Sequence, residues 1–167
     1  MHRILALTAL VFGAAAPLAA QQHDHARMHP AAGADSAFAV MQERGRGVMG
    51  VDQYTSRHVF ESLPDGGRIE LQRDVDDTTG VTQIRAHLRE IAGAFGRGDF
   101  TAPFLVHAQD VPGTRIMAAR HGRIRYRFTD LPRGGELRIT TRDREAVTAV
   151  HEFLAFQRQE HRAGDSR

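Results

Sequence analysis

Cysteine is absent from the 167-residue chain, which excludes disulfides, thiol catalysis and thiolate metal ligands. Lysine is also absent, so all 22 basic residues are arginine, which keeps its charge at every accessible pH. Arginine alternates with aspartate and glutamate, and the formal net charge is only +2. This pattern is typical of a solvated surface of mixed charge, and it argues against nucleic-acid binding.

Long apolar runs are absent as well. No stretch approaches the roughly 20 apolar residues of a membrane helix, so the sequence predicts no membrane span. The longest apolar run, residues 4–16, follows Arg3 and leads into Pro17 and the small residues Ala19 and Ala20. This layout predicts a signal peptide over residues 1–20, cleaved after Ala20, and therefore a periplasmic or secreted protein.

The remaining chain divides by composition. Residues 21–35 are polar and rich in histidine without apolar periodicity, which predicts a disordered arm. We expect one folded domain over residues 36–162 and a disordered tail over residues 163–167. The domain should open with a short helix from Ser36, a good N-cap, to Val48, although Gly45 and Gly47 weaken its second half.

An internal duplication organises the domain. Residues 60–73 match residues 128–141 at a constant offset of 68, and both copies place Leu-Pro-x-Gly-Gly between two alternating strands. Proline presets φ for a turn and glycine accepts positive φ, so each copy predicts a β-hairpin. The two hairpins are therefore expected to be related copies of one unit.

An amphipathic helix follows each hairpin. The first places Val81, Ile84, Leu88, Ile91 and Phe95 on one face, and Asp143 is a suitable N-cap for the second. A lone ββα unit cannot bury its apolar face, whereas two units can share a sheet. The predicted fold class is therefore α+β, with duplicated ββα units forming one four-stranded antiparallel sheet packed by helices. Between the units, residues 96–122 should hold a short helix with Pro112 as its first residue.

The first candidate site depends on cleavage after Ala20. Gln21, Gln22 and His23 would then offer an amine, two amides and an imidazole, a four-nitrogen set that suits Cu(II) or Ni(II). The alternative is a polar arm with incidental histidines.

A second candidate site involves histidines of the folded domain. His58 and Tyr126 occupy equivalent positions in the duplicated strands and could line a ligand pocket. His87, His107 and His151 adjoin apolar positions of three further segments, and neutral imidazoles there suit Zn or Cu, or less readily a haem. The alternative is that each histidine is hydrogen-bonded locally at the edge of the core.

The leading functional hypothesis is an exported binding protein with a histidine-lined pocket for a metal ion or a small ligand. One alternative is a structural module whose paired hairpins form a homo-oligomer surface. Another is a small hydrolase or lyase that uses one of these histidines as general base, for which no second catalytic group can be assigned. The His-Glu-x-x-His pattern fails because Ala155 takes the place of the second histidine.

Four stretches, residues 49–53, 106–107, 132–135 and 150–154, resemble a family of small, mostly uncharacterised exported bacterial proteins. The resemblance would cover about residues 48–162 and implies the same domain limits. Some members carry the label aspartate carbamoyltransferase. This sequence does not support that activity, because the enzyme is about twice as long and its Ser-Thr-Arg-Thr-type motif is missing here.

Overall fold

The structure is a computed structural model that describes residues 30–50 and 55–163. Its elements follow in the order α1 (Pro30–Met49), β1 (Ser56–Leu63), β2 (Gly66–Arg73), α2 (Thr78–Gly96), α3 (Thr101–His107), α4 (Thr114–Ala119), β3 (Ile124–Leu131), β4 (Gly134–Thr141) and α5 (Arg144–Glu160). The predicted signal peptide, the predicted site at Gln21, Gln22 and His23, and residues 164–167 of the predicted tail lie outside the described residues.

The four strands form one antiparallel sheet in the order β1-β2-β4-β3. Both predicted hairpins are present, and they join side by side through β2 and β4. Ile69 pairs with Leu137, which is its own counterpart at the 68-residue offset. A local two-fold axis therefore passes between these two residues, and the predicted fold class is confirmed.

The two faces of the sheet differ in chemistry. The inner face carries apolar side chains that are almost fully buried, among them Phe60, Ile69, Leu71, Leu137 and Ile139. On the outer face the buried carboxylate of Glu70 accepts hydrogen bonds from Arg57 at 2.8 Å, Arg68 at 3.2 Å and Gln72 at 2.8 Å. Helices α2 and α5 pack on the inner face, and the core lies between that face and these helices.

The long helices α2 and α5 begin at aspartate N-caps. Asp77 accepts a hydrogen bond from the backbone N–H of Gly80, and Asp143 accepts from those of Glu145 and Ala146. All five apolar residues predicted to share one face of α2 are buried, namely Val81, Ile84, Leu88, Ile91 and Phe95. The N-cap predicted at Asp143 is confirmed.

The helices are exchanged between the two units. α2 packs on β3 and β4, and α5 packs on β1 and β2, so each helix covers the hairpin of the other unit. The second glycine of each Leu-Pro-x-Gly-Gly makes room for this packing. A Cβ at Gly67 would lie 2.1 Å from Leu154 Cδ1, and one at Gly135 would lie 2.5 Å from Phe128 Cε2 of the neighbouring strand and 3.1 Å from Leu88 Cδ1.

Of the four glycines in the two turns, only Gly66 has a positive φ, of 138°. The expectation that these glycines serve mainly as turn residues is thus only partly met, since the other three allow close approach of backbone or helix. A Cβ at Gly134, for example, would lie 1.9 Å from the carbonyl oxygen of Leu71.

Helix α1 differs from its prediction at its start. It begins at Pro30, not Ser36, so residues 30–35 of the predicted disordered arm are helical. Proline is tolerated in a first turn and alanine is the strongest helix former, which accounts for the earlier start in this Pro-Ala-Ala segment. α1 packs on α3, and Asp35 in its first half forms an ion pair with Arg162 at 2.8 Å.

The segment between the units contains two short helices. The one predicted to begin at Pro112 begins at Thr114, because Gly113 before it has a φ of 79°. A Cβ at Gly113 would lie 2.0 Å from the carbonyl oxygen of Ala149 in α5. The chain therefore turns tightly against α5 before α4 starts, and this contact could not be read from the sequence.

We expect Gly67→Ala to destabilise the protein by about 1–3 kcal/mol, because the new methyl group overlaps Leu154 and the carbonyl oxygen of Glu61, 2.6 Å away. Urea unfolding monitored by circular dichroism measures the change. Gly96→Ala is the matched control, since nothing lies within 4 Å of a Cβ at that position. Equal stability of both variants would contradict the close packing of α5 on the first hairpin.

Candidate functional site

A cavity of about 60 Å³ lies between the inner face of β1 and β2 and the helices α2, α3 and α5. Four imidazoles from four separate elements line it: His58 from β1, His87 from α2, His107 from α3, and His161 directly after α5. We call it the histidine cavity. The other lining residues are Phe60, Ile69, Leu71, Leu88, Ile91, Phe95, Ala102, Pro103, Val106, Phe153 and Gln157.

His161 lies in the middle of the imidazole group. Its ring centroid is 5.8 Å from that of His58 and 5.2 Å from that of His107, and both pairs meet nearly edge to face. Phe60 stacks on His161 with centroids 5.4 Å apart. Three imidazoles therefore form a continuous row within otherwise aromatic and aliphatic walls.

The cavity keeps its histidines neutral. Burial lowers the pKa of His58 to about 4, with a smaller effect of His87 in the same direction. Burial likewise lowers the pKa of His161 to about 3, helped by His58 and His107. The pKa values of His87 and His107 are also lowered by burial. At neutral pH each ring therefore offers one N–H donor and one nitrogen lone pair.

His107 is the most constrained member of the group. Its Nε2 lies 3.1 Å from the side-chain oxygen of Gln157, so Nε2 donates and Nδ1 carries the lone pair. Among the described residues Nδ1 has no hydrogen-bond partner although it is buried, and the nearest carboxylate oxygen, from Glu160, is 3.9 Å away. A buried acceptor without a partner costs free energy, so a ligand that donates a proton here would be favoured.

The structure brings together three of the five predicted histidine and tyrosine positions, namely His58, His87 and His107. His151 does not line the cavity; its Nε2 lies 2.9 Å from the carbonyl oxygen of Leu63, at the end of β1. Tyr126 lies on β3, at the opposite edge of the sheet from His58. The two-fold axis that makes Tyr126 and His58 equivalent also keeps them apart.

His161 was missed by the sequence reasoning. It extends the buried series of α5, in which Val150, Leu154 and Gln157 follow one another at helical spacing, by four residues. This periodicity was the available signal. The helix itself ends at Glu160, and His161 is its C-cap.

The duplication supplies an internal comparison. The helices correspond at an offset of 66, since the N-caps Asp77 and Asp143 and the packing residues Leu88 and Leu154 are equivalent. At this offset His161 corresponds to Phe95, and His87 to Phe153. His58 corresponds to Tyr126 by the strand offset.

The equivalent aromatic pairs have nearly the same geometry. Tyr126 and Phe95 have centroids 5.8 Å apart at an interplanar angle of 68°, and His58 and His161 have centroids 5.8 Å apart at 79°. The fold therefore accepts ordinary aromatic rings at these places. Packing alone does not explain why imidazoles occupy one end of the molecule.

The structure describes the residues of only one of the two predicted metal sites. Among the residues described between 30 and 163, no group of three or more His, Asp or Glu side chains is arranged to hold a metal ion. The site predicted at Gln21, Gln22 and His23 lies outside those residues and stays a prediction.

Among the residues described between 30 and 163, no helix is long and apolar enough to cross a membrane.

Comparison with protein-family models, curated proteins and solved structures finds no match for this chain. The resemblance to small exported bacterial proteins therefore stays a prediction.

We expect the free energy of unfolding to decrease as the pH falls from about 6.5 towards 4. The unfolded chain binds protons at these histidines in that range, whereas folded His58 and His161 bind them only near pH 4 and 3. Within that range each such imidazole lowers the free energy of unfolding by up to about 1.4 kcal/mol for each unit that the pH falls, and above about pH 6.5 this loss is absent. Urea titrations between pH 4.5 and 8 measure the slope.

The double variant His58→Tyr/His161→Phe copies the aromatic pair at the other end of the molecule and should flatten this slope. The matched control is His121→Phe, at an exposed position outside the cavity. A double variant with the wild-type slope would show that these two rings are not the buried titrating groups.

Proposed function

We propose that the protein is a binding protein whose histidine cavity takes a small, largely apolar molecule with one hydrogen-bonding group. The signal peptide predicted over residues 1–20 places this role in the periplasm or outside the cell. The observation that carries the proposal is the convergence of four neutral imidazoles from four elements on one apolar cavity.

The cost of this arrangement favours a function. Burying an imidazole has a larger desolvation cost than burying a hydrocarbon ring of similar size. Phe95 and Tyr126 show that benzene-type rings fit the equivalent positions. The imidazoles of His58 and His161 therefore carry a desolvation cost that hydrocarbon rings at these positions would not carry, as expected where binding requires polar groups.

The lining indicates the class of ligand. Most of the wall is aromatic or aliphatic, and its polar groups are the four imidazoles and the amide of Gln157. No charged carboxylate or guanidinium lines it, so an ionic ligand would have no compensating charge. A neutral molecule with an apolar body and a hydroxyl or N–H group fits best, and the lone pair of His107 Nδ1 is a suitable acceptor.

A small molecule is favoured over a metal ion. Zinc in proteins is usually held by three or four side chains arranged around one point. The described residues offer no such group, and His151, one of the three predicted metal ligands of the folded domain, lies outside the cavity. A metal would need the imidazoles to move together, whereas a hydrogen-bonding ligand can use them as they stand.

The two alternative functions find less support. A hydrolase or lyase needs a second reactive group, and the lining contains no hydroxyl or carboxylate to serve as one. A homo-oligomer surface on the hairpins would use the outer face of the sheet. There, Arg57 and Arg68 already pair with Glu61, Glu70 and Glu136 of the same chain.

Phenol is a suitable probe because it has a small apolar ring and one O–H donor. The cavity is partly open to the surface, so the O–H end can enter it while part of the ring stays in the opening. We expect phenol to shift the Cε1–H proton resonances of His58, His107 and His161 saturably, and toluene, which lacks the donor, to bind more weakly. Ala102→Phe should abolish the shifts by filling the cavity without removing an imidazole. Histidine-selective NMR titration measures them.

The matched control is Ala86→Phe, at an exposed position of α2, which should bind phenol like the wild type. Binding unaffected by Ala102→Phe, or no saturable binding, would overturn the proposal. A parallel titration with Zn²⁺ tests the alternative that the cavity binds a metal ion. Tight Zn²⁺ binding that is lost in His107→Phe would replace the small-molecule proposal with a metal site.

A further inference from the structure

A second pocket, separate from the histidine cavity, opens at one end of the sheet. Three arginines line it: Arg123 before β3, Arg125 on β3, and Arg142 just after β4. Thr140, Thr141 and Asp65 complete its polar lining, with Asp65 in the turn of the first hairpin. No residue lines both pockets.

The positive charge of this pocket is only partly compensated. Asp65 pairs with Arg138, and Asp143 pairs with Arg120 at 2.6 Å and Arg123 at 3.1 Å. Within residues 30–50 and 55–163, neither Arg125 nor Arg142 has a carboxylate within 4.0 Å. Two guanidinium groups of one pocket therefore carry charge that no described side chain balances.

The other end of the sheet shows that the fold does not require this excess. At the 68-residue offset Arg125 corresponds to Arg57, which pairs with Glu70 at 2.8 Å. Arg142 corresponds to Asp74, so the charge is reversed there. At equivalent positions the side-chain charge is therefore compensated at one end of the sheet and left positive at the other.

The backbone around the pocket is held in place. The N–H of Thr141 donates to the carbonyl oxygen of Asp65 at 2.9 Å, and its hydroxyl donates to that of Arg123 at 2.8 Å. Thr140 is the cross-strand partner of Arg125. The segments that carry the arginines are thus fixed relative to one another before any ligand arrives.

We propose that this pocket binds an oxyanionic group of the phosphate or sulfate class, either free or carried by a larger molecule. The planar guanidinium offers paired N–H donors that match two oxygens of such a group, and it remains charged at all relevant pH values. Thr140 can add a neutral hydroxyl donor. The proposal is independent of the histidine cavity.

Inorganic phosphate, titrated by calorimetry into the full chain at 0.15 M sodium chloride, tests the site at about physiological ionic strength. We expect saturable 1:1 binding that Arg125→Gln/Arg142→Gln weakens by about tenfold or more, since charge-assisted hydrogen bonds are the strong ones. The control Arg97→Gln/Arg115→Gln makes the same change in net charge at exposed positions outside the pocket and should bind like the wild type. Circular dichroism checks that both variants are folded.

A second arm distinguishes the source of the anion. Phosphatidylcholine vesicles with and without phosphatidylglycerol are sedimented with the protein. Phosphate binding without retention on the anionic vesicles supports a free ligand, and retention that Arg125→Gln/Arg142→Gln abolishes supports a lipid headgroup. Equal weakening by the two double variants, or no saturable binding in either arm, would overturn the site.

Discussion

The contacts of Leu154 with Gly67 and of Leu88 with the region around Gly135 connect the two halves of the molecule. Through them each helix is buried on the hairpin of the other unit, so neither ββα unit has a complete core of its own. The chain contains no cysteine, and this exchange of helices is what joins the repeats besides the β2–β4 ladder. The duplication is therefore a condition of folding, because one unit would leave an apolar sheet face and an apolar helix exposed.

Much of the fold follows from the sequence because its signals are local or periodic. The 68-residue offset predicts two equivalent hairpins, and the spacing of Val81, Ile84 and Leu88 predicts the buried face of α2. The exchange of the helices could not be predicted, since either arrangement buries the same apolar stripes. Gly67 and Gly135 make room for the exchanged helices, and this role cannot be seen without knowing the exchange. The sequence alone therefore predicts only a turn function for both glycines.

The candidate site was less predictable because convergence is a property of the packed structure. His58, His87 and His107 stand on apolar faces, and burial against one core brings them to one cavity. His151 also adjoins apolar residues of its helix, yet its position along α5 leads it to the end of β1 instead. Repeat equivalence groups Tyr126 with His58, but a two-fold axis through the sheet centre places equivalent edge residues on opposite edges.

The same symmetry separates what the fold needs from what it does not need. Features shared by both ends, such as the aspartate N-caps and the glycines under the helices, are explained by stability. Features present at one end only have no such explanation, because the other end folds without them. Two features are of this second kind. The imidazoles of His58 and His161 stand where the other repeat has the rings of Tyr126 and Phe95. Arg125 lacks a carboxylate partner such as the one that its equivalent, Arg57, has in Glu70. Each carries a cost of desolvation or of repulsion at its own end, and this cost is the physical argument for the two proposed binding sites.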